Sequence, residues 1–178
     1  NNKINNYFFP KNKNFGLKVL FIIIFLGIFF RLLFFLLFDY SHEHVQGDSS
    51  YYYNVAVNFI ETGVISTDTG DTTPSYYRPP LFIIFLASCL YISNYSIFFV
   101  QIVQIFLSIV TCLLATRISA ILNSKCSHIV FILTIFSPFD AMYATKLLSE
   151  NLTTFLLILA FFFLTSNKGN KGLIFSGI

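Results

Sequence analysis

The chain has 178 residues, of which 56% are hydrophobic and 11% are charged, and its formal net charge is +3. Ordinary soluble domains contain about 25% charged residues. This composition excludes a soluble globular protein. It predicts an integral membrane protein, with the lipid bilayer as its partner and no nucleic acid.

The first predicted element is a membrane span at about residues 15–38, long enough to cross roughly 30 Å of hydrocarbon. Four lysines lie in the tail at 1–14 or at the start of this span, namely Lys3, Lys11, Lys13 and Lys18. Basic residues stay on the cytoplasmic side, so we predict a cytoplasmic N-terminus. Arg31 lies inside the span, where it should face protein, water or an acidic partner, or reach towards the head groups.

A long external loop is predicted next, over residues 39–96. Apolar residues recur at helical spacing between 49 and 62, which predicts an amphipathic helix on the outer membrane surface, ended by Gly63. Asp48 directly precedes this helix. It would either cap the helix N-terminus or act as a general base or metal ligand at the membrane boundary.

The apolar run at residues 81–92 is short for a span and allows two topologies. If it crosses the membrane, Arg117 and Lys125 lie outside. If it lies along or dips into the outer leaflet, both are cytoplasmic, as are eight of the eleven Lys and Arg in total. The positive-inside rule favours the second topology. Further spans are then predicted at about 97–118, 128–143 and 151–165, with another starting at 173.

The predicted fold is therefore all-α, a multi-pass bundle of membrane helices whose long first external loop bears juxtamembrane helices. Cys89, Cys112 and Cys126 lie in or beside apolar segments without paired spacing. We expect them to be small buried side chains rather than disulfide partners or metal ligands. The sequence assigns no cofactor and leaves a divalent metal open.

Two groups of charged residues are predicted at the external face. Arg78 precedes Pro79 and Pro80, which would hold its guanidinium at head-group depth, where it suits a donor phosphate or ordinary lipid phosphates. Lys146 and Glu150 are four residues apart, on one face of a predicted helix. They would form a simple ion pair, or join Asp48 and Arg78 in a site for an anionic lipid-linked substrate. Asp140 could join this group.

The order of these motifs resembles the N-terminal half of a GT-C superfamily glycosyltransferase over roughly residues 15–178. The bacterial branch related to protein mannosyltransferases and to the aminoarabinose transferase of lipid A is the most similar. The matching residues are Arg31, Asp48-x-x-x-Tyr52-x-x-x-Ala56, Tyr77-Arg78-Pro79-Pro80-Leu81, Pro138 and Leu148-Ser149-Glu150-Asn151-Leu152. Ser49 departs from the paired acids of the mannosyltransferases. No Asp-x-Asp is present, which argues against the metal-dependent oligosaccharyltransferase branch.

The resemblance implies a GT-C-type helix bundle that transfers a sugar from a polyprenyl-phosphate donor to a lipid, glycan or protein acceptor. The reaction would occur at the outer face of the cytoplasmic membrane. Asp48 and Glu150 would be catalytic, and Arg78 with Lys146 would bind the donor phosphate. The supporting residues would be Arg31, Tyr52, Tyr77 and Asp140. We expect the chain to be a fragment of a longer protein, inactive alone.

Two other functions compete with this one. A non-enzymatic transporter or lipid-flipping protein would use Arg31, Lys146 and Glu150 as a pathway. The predicted spans lack the Gly- or Pro-interrupted pairs expected of many transporters, and the long external loop would be unneeded. The third hypothesis is a polymerase or ligase of surface polysaccharide that acts on another polyprenyl lipid.

Overall fold

The computed structural model describes residues 17–38, 47–66, 73–74, 78–123 and 125–166. Within these ranges all regular structure is α-helical, and no strand occurs. The helices in chain order are α1 (Leu17–Phe38), α2 (Asp48–Thr62), α3 (Pro80–Ile92), α4 (Ile97–Leu122), α5 (Ser127–Ile135), α6 (Pro138–Thr145) and α7 (Glu150–Ser166).

Two of the described helices are long and apolar enough to cross a membrane. They are α1, within which Val19–Leu37 meets this criterion, and the 26-residue α4. They match the spans predicted at 15–38 and 97–118. The 17-residue α7 matches the span predicted at 151–165 but is shorter, and α3 is also a short apolar helix. The tail at 1–14 and the start of a span at 173 lie outside the described residues.

The span predicted at 128–143 is not one straight helix. It is divided into α5 and α6, which meet at a bend of 48° and become a third candidate span only as a broken pair. Pro138 explains the break, because proline has no N–H to donate and favours the first position of a helix. Ser137 caps α6 by accepting a hydrogen bond from the Asp140 N–H at 3.3 Å. The described residues therefore contain one interrupted span, which the apolar run at 128–143 does not predict, and no second one that would complete a pair of interrupted spans.

The helix predicted between 49 and 62 is confirmed as α2, but Asp48 is not its cap. The N-cap is Gly47, and Asp48 is the first helical residue, without a capping hydrogen bond from its side chain. At the other end, Gly63 adopts a left-handed conformation with φ 74° and donates its N–H to the Phe59 carbonyl. Glycine suits this position because a Cβ disfavours that conformation.

Buried side chains form two hydrophobic clusters. One joins α2 and α3 to α4 and the segment before α7, through residues such as Val55, Leu86, Val100 and Leu147. The other joins α1, α4 and α5. Large apolar side chains on the outside of α1 remain exposed, among them Phe21, Phe25, Phe29, Leu33 and Leu37. An apolar exterior of this kind is what a helix in lipid requires.

Candidate functional site

Asp48 and Arg78 are brought together although 30 residues separate them along the chain. The Arg78 Nη2 atom donates to Asp48 Oδ1 at 2.5 Å, with the Asp48 side chain 61% exposed and that of Arg78 26% exposed. Asp48 is positioned by the first turn of α2. Arg78 is positioned by Pro79 and by Pro80, which starts α3. The result is a carboxylate and a guanidinium side by side at the surface.

Two tyrosine rings contact the guanidinium group of Arg78. The Arg78 guanidinium carbon lies 5.3 Å from the ring centroid of Tyr51 and 5.4 Å from that of Tyr52. Contacts of this length are typical of cation–π interactions. The Tyr52 ring is buried and packs edge-to-face on Phe82, with 4.9 Å between centroids. The guanidinium therefore rests on a rigid aromatic surface, which limits the orientations it can adopt.

The segment before α7 approaches the same place. The hydroxyl groups of Tyr52 and Ser149 are 3.4 Å apart, and Leu147 is buried in the cluster that contains Tyr52. Glu150 follows Ser149 directly and is the first residue of α7. Of the residues predicted for the site, Arg78 thus contacts both Asp48 and Tyr52, and Glu150 directly follows Ser149, whose hydroxyl lies near that of Tyr52.

Lys146 and Glu150 do not share a helix face, contrary to the prediction. Helix α6 ends at Thr145, Lys146 has an extended backbone, and α7 begins only at Glu150. The chain turns between the two helices, and Leu147 in this turn is buried in the core. Within the described part of the chain, no ion pair joins Lys146 to Glu150.

Arg31 forms a second polar site, inside the helix bundle. Its side chain is fully buried, so it faces protein and does not extend to the surface. Its Nε donates to Ser108 Oγ at 2.9 Å, and its Nη1 donates to the Ile135 carbonyl at 2.6 Å and the Gly27 carbonyl at 3.2 Å. Its Nη2 lies 3.7 Å from Asp140 Oδ2. Asp140 therefore faces Arg31, whereas the sequence suggested that it joins Lys146 and Glu150.

The break between α5 and α6 is what gives Arg31 its backbone partner. The Ile135 carbonyl lies in the last turn of α5, where the helical hydrogen-bond ladder stops. Carbonyls freed in this way inside a membrane must find another donor. Gly27 allows the approach, because a Cβ there would overlap the Ile135 side chain. Arg31 and Pro138 stand out separately in the sequence, but their connection through the Ile135 carbonyl is visible only in the structure.

The sequence patterns do not single out four further polar residues. Tyr51 lies in the helix predicted between 49 and 62 without a role of its own, and Gln101, Gln104 and Ser108 lie in a predicted span that is apolar on average. All three α4 side chains are buried, and their spacing of three and four places them on one helix face. That spacing was a usable signal.

The structure bears on the predicted burial of the cysteines but not on Tyr77, which lies outside the described residues. Cys89 and Cys112 are buried as expected, but Cys126 is exposed, because it precedes α5 in the turn that follows α4. No group of three metal-ligating His, Cys, Asp or Glu occurs among the described residues.

No model of a known protein family matches the chain, no curated protein is significantly similar to its sequence, and no solved structure is significantly similar to its fold.

Proposed function

We propose that this chain belongs to a multi-pass membrane glycosyltransferase with a GT-C-type helix bundle. It would move a sugar from a polyprenyl-phosphate donor to a lipid, glycan or protein acceptor at the outer face of the cell membrane. The observation that carries the proposal is the contact between Asp48 and Arg78 above the rings of Tyr51 and Tyr52. A carboxylate and an oriented cation are the two groups that this reaction needs at the membrane surface.

Each residue then has a chemical role. The Arg78 guanidinium would bind the donor phosphate and stabilise the charge that develops on it as the sugar leaves. Asp48 would take the proton of the attacking acceptor hydroxyl. Glu150 would supply a second carboxylate from the start of α7, and Lys146 a second cation. Tyr52 would keep Arg78 in place, with Tyr77 in support.

Single substitutions in the full-length protein test the proposal. Asp48→Asn removes the base but keeps a polar side chain of the same shape, so transfer of the lipid-linked sugar should fall by about 10²- to 10⁴-fold. Arg78→Lys keeps the charge but loses the planar set of donors, and transfer should also fall. Glu61→Gln is the matched control, because Glu61 is an exposed carboxylate at the far end of α2. Unchanged transfer in Asp48→Asn would contradict the assignment.

Exchanging the two charges distinguishes a catalytic role of the Asp48–Arg78 pair from a purely structural one. The double variant Asp48→Arg with Arg78→Asp restores an ion pair between α2 and the segment that precedes α3, while reversing the positions of the two groups. If the pair only holds the helices together, the exchange should recover both thermal stability and activity. The proposal requires that stability recovers and sugar transfer does not.

A second candidate function is transport or lipid flipping, and the broken helix favours it. Interrupted membrane helices with charged residues at the break are expected in many transporters. Here the α5–α6 break lies next to Arg31 and Asp140. The two functions differ in which substitution matters. Translocation of a fluorescent lipid-linked sugar in proteoliposomes should respond to Asp140→Asn, whereas glycosyl transfer should respond to Asp48→Asn.

A further inference from the structure

A cleft of about 280 Å³ lies between α4, the broken pair and α7, away from Asp48 and Arg78. Its polar wall consists of Thr111, Thr134, Ser137, Asp140 and Thr154. The rest of the wall is apolar and includes Leu133, which is 68% exposed. The cleft therefore combines polar groups on one side with an apolar opening on the outside of the bundle, in the manner of small-ligand sites.

The polar wall presents hydrogen-bond acceptors. Thr111, Thr134 and Thr154 each donate their hydroxyl hydrogen to a backbone carbonyl one turn earlier, at 2.8 Å in every case. A hydroxyl that has donated its hydrogen retains lone pairs and can still accept. Ser137 is the exception, since it accepts from the Asp140 N–H and keeps its own hydrogen. Such a wall suits a ligand that donates hydrogen bonds.

Asp140 is the strongest acceptor, and its charge is already balanced. Its carboxylate lies 3.7 Å from Arg31 Nη2 and 3.9 Å from the Cys112 thiol, both longer than a strong hydrogen bond. Its side chain is 33% exposed. The neighbouring Arg31 offsets much of the Asp140 charge, so a cation entering the cleft would gain little attraction to offset the cost of leaving water. A neutral donor gains the hydrogen bond without that cost.

We propose that this cleft binds a neutral membrane lipid whose hydroxyl head group donates to Asp140 and to the threonine oxygens. The alkyl part of the lipid extends past Leu133 towards the bilayer. This site is separate from the Asp48–Arg78 pair and does not depend on the glycosyltransferase proposal.

Three probes of equal chain length test the chemistry on the purified full-length protein in detergent micelles. They are 1-decanol, its methyl ether and decylammonium, each measured as saturable equilibrium binding of the radiolabelled compound. We expect 1-decanol to bind, and the ether, which cannot donate, to bind about tenfold more weakly. Equal binding of alcohol and ether, tighter binding of decylammonium, or no saturable binding of decanol would each overturn the proposal.

Matched threonine variants locate the site. Thr154→Val and Thr134→Val remove a hydroxyl from the cleft at nearly constant volume, and each should weaken decanol binding by about three- to tenfold. Thr153→Val is the control, because the Thr153 hydroxyl donates to the Ser149 carbonyl one turn earlier in the same way but does not line the cleft. If Thr153→Val weakened binding as much as Thr154→Val, or if neither cleft variant had an effect, the site would be misplaced.

Discussion

Arg31 joins parts of the chain that are far apart in sequence. It bonds to Ser108 and to the Ile135 carbonyl, which lie 77 and 104 positions away. With Asp140 as the nearest carboxylate, the buried charge is compensated on α6 as well. Removing one partner of a buried ion pair is costly because the other charge stays buried without compensation.

This leads to a prediction for Arg31→Met. The substitution should lower the free energy of unfolding in detergent by about 3–5 kcal/mol, since Asp140 loses its cation and the Ile135 carbonyl loses its donor. Adding Asp140→Asn should recover part of that loss. Lys125→Met, at an exposed charge, should change stability by no more than about 0.5 kcal/mol. Equal or greater loss in the double variant would show that the two charges do not interact.

For Gln104, we expect substitution to increase stability rather than lower it. Its side chain is buried, and neither its amide nitrogen nor its amide oxygen has a hydrogen-bond partner among the described residues. A buried amide without partners costs free energy, so Gln104→Leu should raise the free energy of unfolding by about 1 kcal/mol. Gln101 is the comparison, because its Nε2 donates to the Thr145 carbonyl at 2.8 Å. Gln101→Leu should therefore lower stability, and a gain in both variants would contradict this reasoning.

At the residue scale, the sequence predicts which residues belong to polar sites better than it predicts the atoms that they contact. Asp48, Tyr52 and Arg78 could be selected because charged and aromatic residues stand out at the edge of apolar segments. Arg31 stood out for the same reason. Its partner atoms did not, because a backbone carbonyl such as that of Ile135 becomes available only where a helix is interrupted. Ser137-Pro138 indicates the interruption, but nothing in the sequence shows which distant side chain reaches the freed carbonyl.

Among the helices, the junction of α5 and α6 determines most of the packing around Arg31. The two helices meet at 48°, and the end of α5 lies against α1 at Gly27. Local signals for the break were present in Ser137-Pro138, a cap followed by a proline at the first helical position. The uniform apolarity of 128–143 concealed them. The other helix positions followed from apolar length and from Gly63, which are local properties.

Gly27→Ala tests how close this contact is. In a helix, alanine is normally more favourable than glycine by about 1 kcal/mol, so the substitution would stabilise the protein at an exposed helical position. Here the new Cβ would overlap Ile135, and we expect thermal stability in detergent to fall. Ile135→Ala should also be destabilising alone, because it leaves a cavity. In the double variant the loss should be smaller than the sum of the two. Strict additivity would mean that the two side chains do not compete for space.

At the level of the whole molecule, the charge distribution predicts which ends of the helices are cytoplasmic. The tail before α1 and the turn between α4 and α5 carry basic residues, whereas Asp48, Arg78 and Glu150 belong to the opposite side in the predicted topology. The meeting of Tyr52 with Ser149 supports part of this arrangement, since it puts the start of α2 and the start of α7 at the same end of the bundle. The contact does not depend on the charge rule.

The native cysteines allow the orientation to be measured. Cys126 is exposed in the turn between α4 and α5, whereas Cys89 and Cys112 are buried. If that turn is cytoplasmic, a membrane-impermeant maleimide added to intact cells should leave the protein unlabelled and should modify Cys126 only after permeabilisation. Thr73→Cys, in a background with Cys126→Ser, places a thiol at an exposed position of the predicted external loop. That variant should be labelled in intact cells. Labelling of Cys126 from outside would favour the other predicted topology, in which α3 crosses the membrane. Failure of the Thr73→Cys variant to label in intact cells would place Asp48 and Arg78 at the cytoplasmic face, where an external donor could not reach them.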